Sequence, residues 1–583
     1  MKDTIQIIFG LLGGLAVFIF GMNMMSECLQ KAAGEKMKAI LALLTKNPVL
    51  GVLAGALTTA VLQSSSATTV MAIGFVSAGL MSLPQAISII LGANIGTTMT
   101  AQIIAFKITD YIYVFVFVGF LIAFVAKSQK MKNIGQTLFA FGLLFLGIET
   151  MGAVMKPLAS SPIFTDMIAK VSDIPILGVA VGTLMTLVVQ SSSATIAVLQ
   201  NFASQAGPDG VTSIIGLTGA IPILLGDNIG TTITALLASV GQSKDAKRTA
   251  LAHAIFNISG ACLFVWLIKP YAWLIRMISP KGNEVDVISR QIANAHTGFN
   301  LTMTLIWIPL IWLMVKIVTK IIPDGNGTEA GNPMRPKYLD NKLIGQPVAA
   351  LSLVAQEIMH CSNVVEEMLK TMKDSGVKSG SEKDHVKNDK LKVDIGRVSE
   401  IKDKAEIVHS LTQQINEYLA AMFSEGTMIE GQAMQATSMM NVLCDIDRIA
   451  GLCSEIAEEV KTQRDQKDKF SKEALKDLRK AIGLILEIYS DAMQSIVNGD
   501  ELEMKNVQKR KNEVMQLDEK MRQAHVERVG KKKCSAKLTV GYNNILHNID
   551  RMGNSCVNLV DTAMSHVDFQ MFLQDTQEKV TEG

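Results

Sequence analysis

The sequence predicts an all-α polytopic membrane protein with inverted repeats and re-entrant hairpins, followed by a soluble helical-bundle domain. Three observations carry that prediction. Apolar runs of membrane-spanning length crowd the first part of the chain, among them Ile5–Phe20, Met71–Leu91, Tyr111–Ala126, Gln136–Met155 and Leu251–Ile268. The hexapeptide QSSSAT occurs twice inside that apolar part, at Gln63–Thr68 and Gln190–Thr195. From about Tyr338 the apolar runs cease and charged residues arrive every few positions, as in KTQRDQKDKF at Lys461–Phe470.

At 583 residues the chain exceeds one ordinary domain, and 49% hydrophobic content with 14 prolines excludes a disordered protein. The formal net charge of +2 sums two parts that obey different charge rules and decides nothing. Lys531, Lys532 and Lys533 read as a solvated helix end rather than a nucleic-acid footprint, so no nucleic-acid partner is expected. Cys28, Cys262, Cys361, Cys444, Cys453, Cys534 and Cys556 are scattered with no CxxC pair, the pattern of reduced, unpaired core residues.

The membrane domain is expected over residues 1–322, with repeat 1 at about 5–108, repeat 2 at about 134–240 and further helices at 249–322. Lys2 and Asp3 precede the first apolar run and no small-residue cleavage site follows it, so the run reads as a retained helix. Lys127, Lys130 and Lys132 cluster in one loop, Lys244, Lys247 and Arg248 in another, and Lys316 and Lys320 precede the soluble part. By the positive-inside rule these loops and the C-terminal domain face the cytoplasm of a cell whose inner membrane the chain crosses several times.

The repeat is longer than its hexapeptide. Phe20–Asn23 (FGMN), Gln63–Thr69 (QSSSATT) and Gly92–Thr98 (GANIGTT) recur in order as Leu146–Glu149 (LGIE), Gln190–Ile196 (QSSSATI) and Gly226–Thr232 (GDNIGTT), about 130 residues on. Each QSSS lies between short apolar stretches, the preceding ones being Val49–Leu62 and Ile176–Val189, neither of which spans comfortably alone. Such pairs read as re-entrant hairpins or broken helices. Non-helical backbone at that depth is tolerated where it lines protein or a wet cavity, and matched interruptions in two halves mark a transporter's binding site.

A smaller echo follows: AHAIFN (Ala252–Asn257) and AHTGFN (Ala295–Asn300). His253, Asn257, His296 and Asn300 read first as hydrogen-bonded glue between membrane helices, and second as ion or proton handlers. PDGNGTEAGNPMRP (Pro323–Pro336) is rich in turn residues and gives a linker over 323–340. The domain at 341–583 then holds helical stretches broken by the polar segment Lys373–Lys390. Its two related segments, Cys444–Ile456 and His547–Leu559, imply a duplicated helical bundle.

The motifs allow ion chemistry. The glycine of NIGTT (Asn94–Thr98 and Asn228–Thr232) lets a helix begin or break, and free N–H groups at a half-helix N-terminus attract an anion. The serines at the hairpin tips offer the same, while Gln63 and Gln190 supply side-chain oxygens that suit a hard cation such as Na⁺. Asp227 and Glu149 are acidic candidates for a cation, Glu149 aligning with Asn23 in the other repeat. No arginine or lysine accompanies these motifs, so co-bound cations must neutralise an anion there. Carrying a dianion inward against 100 mV costs about 4.6 kcal/mol and each Na⁺ returns about 2.3 kcal/mol. Two sodium ions balance the charge, and a third makes uptake voltage-driven. No GxSxG, HExxH or Walker-type loop is present, so no enzyme activity, organic cofactor or transition-metal site is expected.

The duplicated QSSS with NIGTT downstream closely resembles the type II sodium-phosphate cotransporter family in its bacterial form, over about residues 1–322. The resemblance implies inverted repeats whose QSSS segments meet near the midplane to bind inorganic phosphate and Na⁺, the coupling ion. On it, Gln63, Ser64, Ser65, Ser66, Gln190, Ser191, Ser192 and Ser193 carry over as the substrate and ion core, followed by Thr97, Thr98, Thr231 and Thr232. The phosphate site is expected at the six serines with Asn94 and Asn228, and the sodium ligands at Gln63, Gln190, the four threonines and the acidic candidate Asp227. The C-terminal part resembles the PhoU family of phosphate-uptake regulators, whose acidic-Arg-apolar-Gly-Asp signature is begun by Asp447-Arg448-Ile449 and Asp550-Arg551-Met552-Gly553. Ala450 replaces the first glycine, and Gly451 and Asn554 stand where the second acid belongs, which puts PhoU-type metal binding in doubt.

The leading expectation is sodium-coupled import of phosphate by alternating access, with a cytoplasmic PhoU-like domain that regulates it. Alternatives are a membrane phosphate sensor or signalling adaptor, and a transporter of another oxyanion or of reversed flux. The partners expected are phosphate, Na⁺ and the lipid bilayer, with a homodimer and a cytoplasmic regulatory partner also considered.

Overall fold

The computed structural model describes residues 2–42, 47–106, 111–159, 174–207, 209–323, 332–375, 395–465, 470–498 and 501–566. The chain divides into two compact units, Met1–Asn326 and Gly327–Gly583. Both are helical. Among the described residues no strand forms, and one isolated bridge joins Ala206 to Ser213.

In the first unit the helices are α1 (Lys2–Ala42), α2 (Pro48–Leu62), α3 (Ser65–Ser77), α4 (Leu83–Ile104), α5 (Ile112–Val125) and α6 (Gln129–Ala159). They continue as α7 (Pro175–Val189), α8 (Ser192–Ala203), α9 (Gly216–Ala238), α10 (Lys244–Val265), α11 (Ile268–Ile278), α12 (Glu284–Trp307) and α13 (Ile311–Ile321). The duplication is visible in the elements. α2 and α3 flank the first QSSS as α7 and α8 flank the second, and α4 and α9 carry the two NIGTT segments. α2 and α7 each start on a proline, whose fixed φ suits the first turn and whose missing N–H costs nothing there.

Two expectations need correction. The run Met71–Leu91 is no single span: it divides between α3 and α4 around Gly79, whose φ of +72° a side chain would resist. NIGTT neither begins nor breaks a helix, since Asn94–Thr98 and Asn228–Thr232 lie inside α4 and α9. Their glycines serve close packing instead. A Cβ on Gly96 would run into the Ala56 carbonyl of α2 and one on Gly230 into the Thr183 carbonyl of α7, and just upstream Gly92 and Gly226 press in the same way on the Val52 and Val179 carbonyls. Small residues let membrane helices approach backbone to backbone, where dispersion replaces the missing hydrophobic drive.

α1 packs along α6, which also receives α5. α5 turns Tyr113, Phe117, Phe120 and Phe124 outward, as a lipid-facing helix does. α10 and α12 pack against α4 and α9, with Phe264 and Phe299 edge to face at 5.0 Å. Pro309 interrupts the chain between α12 and α13, and the buried Arg248 of α10 closes α13 by donating to the Ile322 carbonyl at 2.7 and 2.9 Å.

The second unit contains α14 (Pro347–Ser375), α15 (Ile395–Glu425), α16 (Glu430–Asp465), α17 (Lys472–Asn498), α18 (Glu501–Gly530) and α19 (Thr539–His566). Two three-helix sets, α14–α16 and α17–α19, share one core. Pro347–Asp374 is apolar and long enough to cross a membrane, but its Leu351, Val354, Ile358, Val365 and Leu369 are fully buried in that core. Most of Lys373–Lys390 and part of the linker Pro323–Pro336 lie outside the described residues. The cysteines are free, and Cys262 and Cys444 are exposed rather than core residues.

Candidate functional site

Both glutamines of the QSSS segments end a helix in the left-handed region: Gln63 at φ 52°, ψ 24° after α2, and Gln190 at φ 56°, ψ 21° after α7. Among the described residues, Lys532 alone joins them as a non-glycine residue with positive φ. That conformation costs a side-chain-bearing residue about 1–2 kcal/mol and ordinarily selects glycine. Each glutamine closes the turn with its own amide, Gln63 Nε2 donating to the Ala60 carbonyl at 2.5 Å and Gln190 Nε2 to the Leu187 carbonyl at 2.6 Å.

The next residue caps the next helix. Ser64 (φ −149°, ψ 107°) accepts the Ala67 N–H at 3.2 Å, and Ser191 (φ −145°, ψ 105°) accepts the Ala194 N–H at 3.3 Å. The broken-helix expectation therefore belongs to QSSS, where helices do begin. Ser65 and Ser66 open α3, Ser192 and Ser193 open α8, and first-turn N–H groups lack an intrahelical acceptor. Two helix N-termini thus present backbone donors and serine hydroxyls, the chemistry that receives an anion.

A threonine pair braces each turn. Thr59 Oγ1 donates to Thr68 Oγ1 at 2.9 Å and Thr186 Oγ1 lies 3.1 Å from Thr195 Oγ1, all four residues buried. The signal was in the sequence: a threonine stands four residues before each glutamine and another five after it.

The halves then differ. Gln63 is buried and its Oε1 accepts from Thr100 of α4 at 3.0 Å, whereas Gln190 is exposed and lacks that partner among the described residues. Asp227, where repeat 1 has Ala93, is fully buried on α9. Its Oδ1 accepts from Thr186 Oγ1 at 2.5 Å, and its Oδ2 has no partner among the described residues. A carboxylate sequestered without a counter-charge is costly unless a cation or a proton joins it. Asp227, Thr186 and Thr195 gather oxygen ligands of the kind Na⁺ takes.

The remaining predicted residues fall into place unevenly. Thr98 and Thr232 donate to their own helices, to the Ile95 and Ile229 carbonyls at 2.8 Å each, and Thr231 donates to the Asp227 carbonyl at 2.9 Å, leaving hydroxyl lone pairs as acceptors. Thr97 is half-buried on α4. Glu149 is exposed on α6. Among the described residues no hydrogen bond joins the two QSSS segments directly. The repeats meet where Gln200 of α8 donates to the Ala101 carbonyl of α4 at 3.1 Å and where Ile73 of α3 packs on Ala235 of α9.

The AHxxFN echo docks on the NIGTT segments. His253 Nε2 lies 3.4 Å and Asn257 Nδ2 3.5 Å from Asn94 Oδ1, and His296 Nε2 lies 3.1 Å from Asn228 Oδ1. Arg290 of α12 adds a cation that sequence proximity could not reveal. Its Nη1 donates to Gln102 Oε1 at 2.7 Å and its guanidinium lies 4.5 Å over Phe106, so it holds the end of α4 rather than a motif residue.

In the second unit the signature acids already have side-chain partners. Asp447 accepts from His409 at 3.1 Å, and Asp550 is bonded by the buried Lys511, with Asn554 Nδ2 donating to its other oxygen at 3.3 Å. Among the described residues no group of three His, Cys, Asp or Glu side chains converges as a metal site would. Burial holds the nearby Asp445 carboxyl above the usual carboxylate range despite Arg448.

Comparison with known proteins agrees with this architecture. Residues 17–153 and 154–279 match the family model described as Na+/Pi-cotransporter, and residues 478–563 match the PhoU domain. The uncharacterized protein YqeW of Bacillus subtilis is 33% identical over 306 residues, 52% of this chain and 95% of that protein. YjbB of Salmonella typhimurium, named a candidate inorganic phosphate export protein, is 24% identical over 522 residues, 89% of this chain and 90% of its own length. Sodium-dependent phosphate transport protein 2A of Rattus norvegicus is 40% identical over 101 residues, 16% of this chain and 15% of that protein. No solved structure gives a significant match.

Proposed function

From a chain that belongs to the Na+/Pi-cotransporter family and carries a C-terminal PhoU domain, we infer sodium-coupled movement of inorganic phosphate across a bacterial cytoplasmic membrane by alternating access. The family is one of transporters, not enzymes. The observation that carries this reading is the twin turn: a left-handed glutamine followed by a serine N-cap, repeated with dihedral angles within a few degrees.

Ser64, Ser65, Ser66, Ser191, Ser192 and Ser193, with Asn228 behind them, receive the phosphate, and Asn94, its amide bonded at both ends, braces repeat 1. Dipoles and N–H groups supply part of the counter-charge, and sodium supplies the rest. Asp227, with Thr186, Thr195 and Thr231, is assigned a sodium ion, and Gln63, Gln190, Thr97, Thr98 and Thr232 contribute further oxygens. The repeats are assigned inverted orientations, so that the QSSS turns approach the midplane from opposite sides. The PhoU domain is assigned to the cytoplasm as the regulator of flux.

An inward sodium gradient drives import, with about 2.3 kcal/mol per 100 mV for each net charge. A second direction is favoured by the YjbB relatives, which share both parts of the chain and are named for export. Reconstituted vesicles loaded with labelled phosphate decide between them. Sodium outside should drive accumulation of external phosphate; release of internal phosphate without sodium-driven accumulation would establish export instead.

A further inference from the structure

α10 and α12 form a third duplicated pair beside α2–α3/α7–α8 and α4/α9. Each carries AHxxFN, and each motif places a buried histidine on the asparagine of one NIGTT: His253 on Asn94 and His296 on Asn228. Both histidines are 1% exposed. The second motif polar group turns back on its own helix in both copies, Asn257 Nδ2 donating to the His253 carbonyl at 3.1 Å and Asn300 Nδ2 to the His296 carbonyl at 3.0 Å.

A carboxamide has two ends of nearly equal shape and opposite chemistry, so an apolar interior must be told which end faces the ligand. An amide oxygen can only accept. Each imidazole therefore donates its Nε2–H, consumes the oxygen of its asparagine, and leaves the NH2 end for another partner. In repeat 1 that end is spent, Asn94 Nδ2 donating to the Ile90 carbonyl at 2.8 Å. In repeat 2 Asn228 Nδ2 is buried with no partner among the described residues. A sequestered NH2 group without an acceptor is a standing cost, and it is relieved by a ligand that accepts.

We propose that His296 is a positioning residue that holds Asn228 with its amide donor turned toward the transported oxyanion, while Asn94, bonded at both ends of its amide, is its structural counterpart beside His253. The inference rests on the phosphate-transport reading and makes the two halves unequal: repeat 2 offers the oriented side-chain donor, repeat 1 does not. It also explains why the motif recurs on helices beyond the repeats themselves.

The test is the phosphate concentration for half-maximal uptake in proteoliposomes, with size-exclusion profiles confirming folded protein. His296→Leu should raise that concentration by about tenfold, equivalent to about 1.4 kcal/mol. His296→Gln, which places an amide N–H where Nε2–H was, should stay within about threefold of the parent. Asn228→Leu should match His296→Leu, and the double variant should be no worse than either, since both remove one donor. His253→Leu should move half-saturation less than His296→Leu. If His296→Leu fails to fold, the His296→Gln and Asn228→Leu pair asks the same question. An active parent whose His296→Leu or Asn228→Leu form keeps normal half-saturation, or whose Gln form is as impaired as Leu, overturns the inference alone. A parent blind to phosphate in uptake and in direct binding overturns both this inference and the reading beneath it.

Discussion

Replacing Gln190 with glycine should stabilise the protein and abolish sodium-coupled transport at once. The backbone there sits at φ 56°, where a side chain costs about 1 kcal/mol relative to glycine. The side chain returns little to the fold, because it is exposed and its amide merely closes its own turn on the Leu187 carbonyl. Gln190→Gly should thus gain about 1 kcal/mol, seen as a higher unfolding midpoint in detergent. Gln63→Gly differs in a calculable way. The same relief is offset by the loss of the buried acceptor for Thr100 Oγ1, about 1–2 kcal/mol, so its midpoint should stay level or fall. Both variants should lose sodium-dependent phosphate uptake. A Gln190→Gly protein that transports with the parent's sodium dependence would refute the reasoning, since the left-handed backbone alone would then suffice.

Other substitutions test other links. Asp227→Asn keeps an oxygen for Thr186 but removes the buried charge, so the sodium requirement should rise by about tenfold or more while the folded fraction holds; sodium titration of uptake reads this. Gly226→Ala forces a methyl group against the Val179 carbonyl and should cost about 1–3 kcal/mol by separating α7 from α9, checked by the unfolding midpoint. Lys511→Met strips the buried cation from Asp550 and should destabilise the second unit by about 2 kcal/mol, measured by hydrogen exchange of α18 and α19 in the full chain. Because Lys511 and His409 already serve the signature acids, removal of divalent metal by a chelator should leave that exchange unchanged.

Much of this was legible in the residues. The apolar runs and the paired landmarks gave the helical repeats, and the short stretches before QSSS end within a residue of α2 and α7. What failed was local. Glycine in NIGTT reads equally as a breaker or as a packing surface, and only the neighbouring helix decides; the Ala56 and Thr183 carbonyls lie too close to Gly96 and Gly230 to admit a Cβ. The apolar run Met71–Leu91 hid a turn because Gly79 looks like any small residue in a membrane helix until its φ is known. The partners of Asn94 and Asn228 come from helices more than sixty residues away, so the AHxxFN echo was visible but its targets were not.

The central claim is that phosphate enters a site whose missing positive charge is supplied by sodium. Labelled-phosphate uptake into proteoliposomes, compared in Na⁺, K⁺ and choline at one clamped voltage, tests it most directly. The account predicts accumulation in sodium alone, lost in Gln63→Ala and Gln190→Ala protein that still folds. Equal uptake in all three cations, or in both variants, would contradict it.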